Sequence, residues 1–136
     1  MLNHHDIEEI VRSSLDPESR LAVTASADVR HCLTLTIQAT PSASAPLHPG
    51  RVKARIATNG VDTFVLDLDD RFEYRDIDWE PQGQSEILRL MTGLAQAYLA
   101  GDGRETERRG LIGRRHSQLI VELDGEPYRF KGKRQG

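Results

Sequence analysis

The stretch Ser85–Ala100, SEILRLMTGLAQAYLA, decides how the rest of the chain is read. Apolar residues fall at Ile87, Leu88, Leu90, Met91, Leu94, Ala95, Tyr98 and Leu99, the i, i+3, i+4, i+7 spacing of one helical face. Ser85 is positioned as an N-cap, and Glu86 places negative charge in the first turn, where the helix dipole favours it. Gly101 offers a left-handed stop. Gly93 lies mid-helix, where it costs about 1 kcal/mol relative to alanine, and predicts a close approach of another backbone. A four-turn helix with so wide an apolar face needs a sheet or helices to cover it.

The segments on either side supply a sheet. Leu33, Leu35 and Ile37 alternate with Thr34, Thr36 and Gln38, as in a half-buried strand. Val52, Ala54 and Ile56 alternate with Arg51, Lys53 and Arg55, and Phe64, Leu66 and Leu68 repeat the pattern after Thr58-Asn59-Gly60. A three-residue loop with Gly60 left-handed pairs Ala54 with Phe64 and Val52 with Leu66, which keeps apolar side chains together. A two-residue Asn-Gly turn would set them against Arg55 and Lys53. Arg71–Trp79 predicts a further strand carrying Phe72 and Tyr74, with its alternation broken at Arg75-Asp76 by a bulge or a strand end. After the helix, Leu119, Val121 and Leu123 lead to Asp124-Gly125, a hairpin signal that pairs Val121 with Tyr128 and Leu119 with Phe130.

Other segments give weaker signals. Asp6–Leu15 predicts a short first helix with Ile7, Ile10, Val11 and Leu15 on one face, ended by Asp16-Pro17. Residues 18–30 are ambiguous, since Ala and Ser are poor strand formers. Thr40–Gly50 holds three prolines and is a loop. Arg104–Arg109 alternates but has almost no apolar content, Leu111-Ile112 forms a tip between glycines, and the tail from Lys131 is expected to fray. The sequence therefore predicts a single α+β domain over 1–136. Its mostly antiparallel sheet has about five to six strands, with the long core helix and the short N-terminal helix packed on one face. This order of elements resembles that of small bacterial secretion chaperones and of some immunity proteins of toxin systems. The resemblance is one of fold, and it implies a protein that works by binding another protein.

Composition sets outer bounds. The 136 residues are 38% hydrophobic and 29% charged, which suits a globular chain with a real core. Apolar runs fall far short of the roughly 20 residues needed to span a bilayer, and no secretory pattern opens the chain. The single Cys32 fits a reducing compartment, so a cytoplasmic location is expected. Residues 1–100 carry nine Lys/Arg against fifteen Asp/Glu, and residues 101–136 carry nine against six. The net charge of −3 hides an acidic first part and a basic last part.

Chemistry-bearing residues cluster in two places. Asp67, Asp69, Asp70, Glu73, Asp76, Asp78 and Glu80, with Trp79 among them, form an acidic stretch that can dock a partner with a basic surface. Such a stretch can also be a solvated sheet edge. It lacks the glycine spacing of a calcium loop, and no metal site is expected from it. Arg104, Arg108, Arg109, Arg114 and Arg115 form the alternative basic surface. They lack interleaved aromatics for base stacking, and the pI of about 5.9 is low for nucleic-acid domains, so nucleic acid is the less favoured partner. No catalytic residue, phosphate loop, zinc spacing or cofactor motif is found: His31 and Cys32 are strand neighbours facing opposite sides, and no GxSxG is present.

The sequence leans against an enzyme and towards a cytosolic protein-binding module, an immunity-type inhibitor or a dedicated chaperone. A small-molecule site between helix and sheet, lined for example by His31, Asp67 and Tyr74, is the alternative. Nucleic-acid binding by the Arg-rich hairpin is a second alternative.

Overall fold

The structure is a computed structural model, and it describes residues 2–28, 32–40, 50–109 and 115–133. The elements run α1 (His4–Ser14), a single 3-10 turn (Pro17–Ser19), β1 (Leu21–Ala27), β2 (Leu33–Ala39), β3 (Lys53–Thr58), β4 (Thr63–Leu68), β5 (Phe72–Ile77), α2 (Pro81–Leu99), β6 (Arg104–Arg109), β7 (Arg115–Leu123) and β8 (Glu126–Gly132). All the strands join one antiparallel sheet in the order β1-β2-β3-β4-β5-β8-β7-β6. The fold is α+β, as the sequence predicts, but the sheet has eight strands in place of five to six. The strands left uncounted are β1 and β6, the two edges of the sheet. An edge strand buries little, so it needs few apolar residues, and charge there discourages pairing with other chains.

α2 lies against β3, β4 and β7, and α1 lies against α2 and β1. Ile7 and Val11 of α1, Leu88, Met91 and Leu94 of α2, and Phe64, Leu66, Leu119 and Phe130 of the sheet share one core. Burying each such side chain stabilises the fold by roughly 1.5–3 kcal/mol. α2 begins at Pro81, four residues before the expected cap. Proline is preorganised for the first helical position and leaves no donor to satisfy. Ser85 instead donates its hydroxyl back to Pro81 O at 3.0 Å. At the other end Gly101 (φ 101°) closes a Schellman motif: its N–H donates to Tyr98 O and that of Asp102 to Ala97 O, both at 3.0 Å. No described helix is long and apolar enough to cross a membrane.

The β7–β8 hairpin has the predicted register, Val121 opposite Tyr128 and Leu119 opposite Phe130. Its turn residues Asp124 and Gly125 are both left-handed (φ 52° and 81°), the geometry that matches strand twist. The β3–β4 hairpin differs from expectation. Ala54 pairs with Leu68, Ile56 with Leu66 and Thr58 with Phe64, because Asn59 organises a longer loop by accepting from the N–H groups of Val61, Asp62 and Thr63 at 2.9–3.1 Å. The slip is an even number of residues, so every side chain keeps its face. Val52 is left outside the core at 63% exposure. Strand β5 pairs without interruption across Arg75-Asp76, which puts Asp76 in register with buried Phe64 and turns Ile77 outward. Gly93 faces the side chain of Leu123, whose Cδ2 lies 2.9 Å from where a Cβ would sit, and no backbone approaches. Of the tail expected to fray from Lys131, Lys131 and Gly132 stay in the sheet, paired with Glu73 and Phe72 of β5, and residues 134–136 lie outside the described residues. Residues 41–49 of the Thr40–Gly50 loop and the whole Leu111-Ile112 tip lie outside the described residues.

Candidate functional site

Strand β5 separates the acidic stretch into two groups with different work. At one end of the sheet Asp69 and Asp70 both adopt left-handed geometry (φ 56° and 58°), a conformation aspartate tolerates better than most residues. The Asp69 carboxylate then turns back across the sheet end. It accepts from Val52 N at 3.0 Å, Lys53 N at 2.9 Å and the Tyr98 hydroxyl at 2.6 Å. Asp67 accepts from Asp70 N at 2.9 Å and from the Lys133 ammonium. Asp70 faces Lys53 at 3.8 Å and Arg55 at 3.3 Å. Tyr98 is fully buried, and the Arg51 guanidinium sits 4.5 Å from its ring centroid while donating to Tyr98 O at 2.9 Å and to Asp102 O. These groups lock the β3 entry, the β4–β5 turn and the end of α2 together.

Burial, and next the hydrogen bond to Asp69, push the Tyr98 phenol well above its ordinary value. The folded chain therefore holds this proton more tightly than the unfolded chain. Its contribution is fully present below the unfolded value near pH 10 and is lost as pH rises towards the folded value. Tyr98→Phe is expected to flatten the alkaline decline in stability above about pH 10, by up to about 1.4 kcal/mol per pH unit. Urea midpoints for both proteins at about pH 9 and about pH 11 check this.

At the other end Asp76, Asp78, Trp79 and Glu80 gather with two residues of the β3–β4 loop, Val61 and Asp62. The Asp78 N–H donates to Asp62 O at 3.0 Å, extending the ladder beyond the Thr63–Ile77 pair. Asp78 also accepts from Glu80 N at 2.8 Å ahead of α2, and its carboxylate fills the space where a Cβ on Gly83 would be. Beneath these loops lies Gln84, fully buried. Its amide donates to Val61 O at 3.1 Å and Asp78 O at 3.0 Å, and its oxygen accepts from Leu2 N at 3.2 Å. All its bonds tie main chain to main chain, so both loops are held to α2 and to the N-terminal segment. Above this clamp Val61, Ile77 and Trp79 are 55%, 59% and 71% exposed. Among the described residues only Val52, at the opposite end of the sheet, is a large hydrophobic residue as exposed as these. Val61 and Gln84 were not singled out from the sequence. The signal for Gln84 is its place on the apolar stripe of α2, three and four residues before Ile87 and Leu88.

On the basic side, Arg104 is in register with Ile120 and Arg108 with His116, while Glu105 is in register with buried Leu119. Strand parity therefore sends Arg104 to the outer face of the sheet and Glu105 and Glu107 to the other. Glu105 pairs with Arg71 at 2.9 Å. Arg114 lies outside the described residues, as do the side chains of Arg108, Arg109 and Arg115. Arg129 and Lys131, also outward-facing, join Arg104 through the register of β8 with β7, a link the Asp-Gly turn makes legible.

Of the residues named for a helix–sheet pocket, Asp67 and Tyr74 are on opposite faces of the sheet. Asp67 pairs with Glu73 on the outer face, and Tyr74 faces inward against Tyr128 and Phe130 at 6.1 and 5.6 Å between ring centroids. His31 lies outside the described residues. Among the described residues no three His, Cys, Asp or Glu side chains are grouped to hold a metal ion. Set against protein-family models, curated proteins and solved structures, the chain gives no significant match in any of the three.

Proposed function

We propose that this chain is a single-domain, non-enzymatic cytosolic module that binds another protein, as an immunity-type inhibitor or a dedicated chaperone does. The docking surface in this reading is the end of the sheet bearing Val61, Ile77 and Trp79, rimmed by Asp62, Asp76, Asp78 and Glu80. The observation that supports it is the exposure of these three apolar side chains, at the end of β5 and on the two loops beside it that buried Gln84 holds in place. Scattered exposed apolar residues are ordinary, but a gathered and rigid set marks an interaction surface. Preorganised loops lose little entropy on docking, and the carboxylate rim steers a partner of positive charge. Asp67 and Asp69 sit at the far end, engaged by backbone, Tyr98 and Lys133, and in this reading they support the fold.

A photocrosslinking residue placed at Ile77 tests the reading, with one at Val52 as control, because both sites are exposed and they lie at opposite ends of the sheet. The expected result is a covalent adduct with the product of an adjacent reading frame from position 77 and none from position 52. Adducts from neither position, or equally from both, would contradict it.

A further inference from the structure

We propose that the outer face of β6, β7 and β8 is a second binding surface, one that takes the sugar-phosphate backbone of a nucleic acid. It is distinct from the Trp79 end and does not rest on that reading. In one row across the sheet Arg104 is in register with Ile120 and Ile120 with Arg129. In the next row Thr106, Gln118 and Lys131 are in register. Neighbouring strands lie about 4.8 Å apart and residues on one face repeat about every 6.8 Å along a strand, so the cations form a grid with hydroxyl and amide groups between them. Arg104, Arg129 and Lys131 are exposed. None of the three makes an ion pair among the described residues, whereas Lys53, Arg55, Arg71, Arg75 and Lys133 all do.

Strand parity produces this separation of charge. The acids of the β6 sequence, Glu105 and Glu107, alternate away from the outer face, so a segment that looks self-neutralised in sequence is cationic on one side. Two acids border the cations on this face: Glu122 of β7 lies a row further along, in register with Pro127, and Glu73 of β5, in register with Lys131, marks the limit of the surface. The partner follows from what surrounds the cations. Stable protein interfaces are anchored by large apolar or aromatic side chains in a dry centre, and here Tyr74, Tyr128 and Phe130 are on the inner face. Phosphate contacts need only spaced Arg and Lys with hydroxyl and amide groups among them, and they carry no base-sequence information; among the described residues of β6, β7 and β8 no aromatic side chain is on the outer face to stack bases.

Fluorescence anisotropy with a labelled single-stranded DNA of about 16 nucleotides, using the full chain at about 50 mM salt, tests the proposal. Three cations on a single strand predict a log–log salt slope of about −2. The double variant Arg104→Gln/Arg129→Gln is expected to bind at least about tenfold more weakly and to reduce the slope to about −0.7. Glu122→Gln, which removes an acid from the same face, is expected to tighten binding. No binding by the wild type, or equal binding by the double variant, overturns the proposal. So does tighter binding of a poly-glutamate peptide than of the oligonucleotide, which would assign the face to an acidic protein.

Discussion

Asp69→Ala is expected to cost about 3–5 kcal/mol of folding stability, out of a total of about 5–15 kcal/mol for a domain of this kind. Three donors converge on this carboxylate: Val52 N, Lys53 N and the hydroxyl of Tyr98. Tyr98 is fully buried, so its hydroxyl has no water to turn to when the acceptor is removed, and an orphaned buried donor costs about 1–3 kcal/mol. The backbone adds to the loss, because position 69 is left-handed (φ 56°) and alanine is disfavoured there by about 1–2 kcal/mol. Asn separates the two contributions: it accepts left-handed geometry and keeps one acceptor oxygen, so Asp69→Asn is expected to lose about half as much. Urea unfolding of both variants decides the matter. A midpoint for Asp69→Ala equal to that of the wild type would show that the lock carries no stability.

That lock was not legible in the sequence, for a physical reason. Asp69 and Tyr98 are joined across 29 residues, and nothing local to either marks the contact. Adjacency made Asp67–Glu80 read as one acidic surface, but the left-handed pair at Asp69-Asp70 turns the first group back into the fold while β5 carries the second to the other end. What periodicity can report, it reported: α2, the faces of β3 and β4, and the β7–β8 register all follow from apolar spacing and turn chemistry. The edge strands β1 and β6 give only weak signals because hydrophobic alternation measures burial, and LAVTASA and residues 104–107 of RETERR bury little. The β3–β4 register departs from the expected one because Asn59, and not Gly60, organises the loop: its side chain takes three backbone donors and lengthens the connection.

The same reasoning separates residues that shape the docking end from those that would make contact there. Gln84 is buried and joins main-chain groups, so its replacement would disturb the surface indirectly. Trp79, 71% exposed, contributes little packing, and its truncation is expected to shift stability by no more than about 0.5 kcal/mol. Trp is also the residue type most often found to dominate binding energy, by about 2 kcal/mol or more when truncated. Calorimetric titration of the partner captured from position 77 against Trp79→Ala is therefore the most direct test of the docking surface. The account predicts affinity at least about 30-fold weaker with an unchanged unfolding midpoint. An affinity equal to that of the wild type would contradict it.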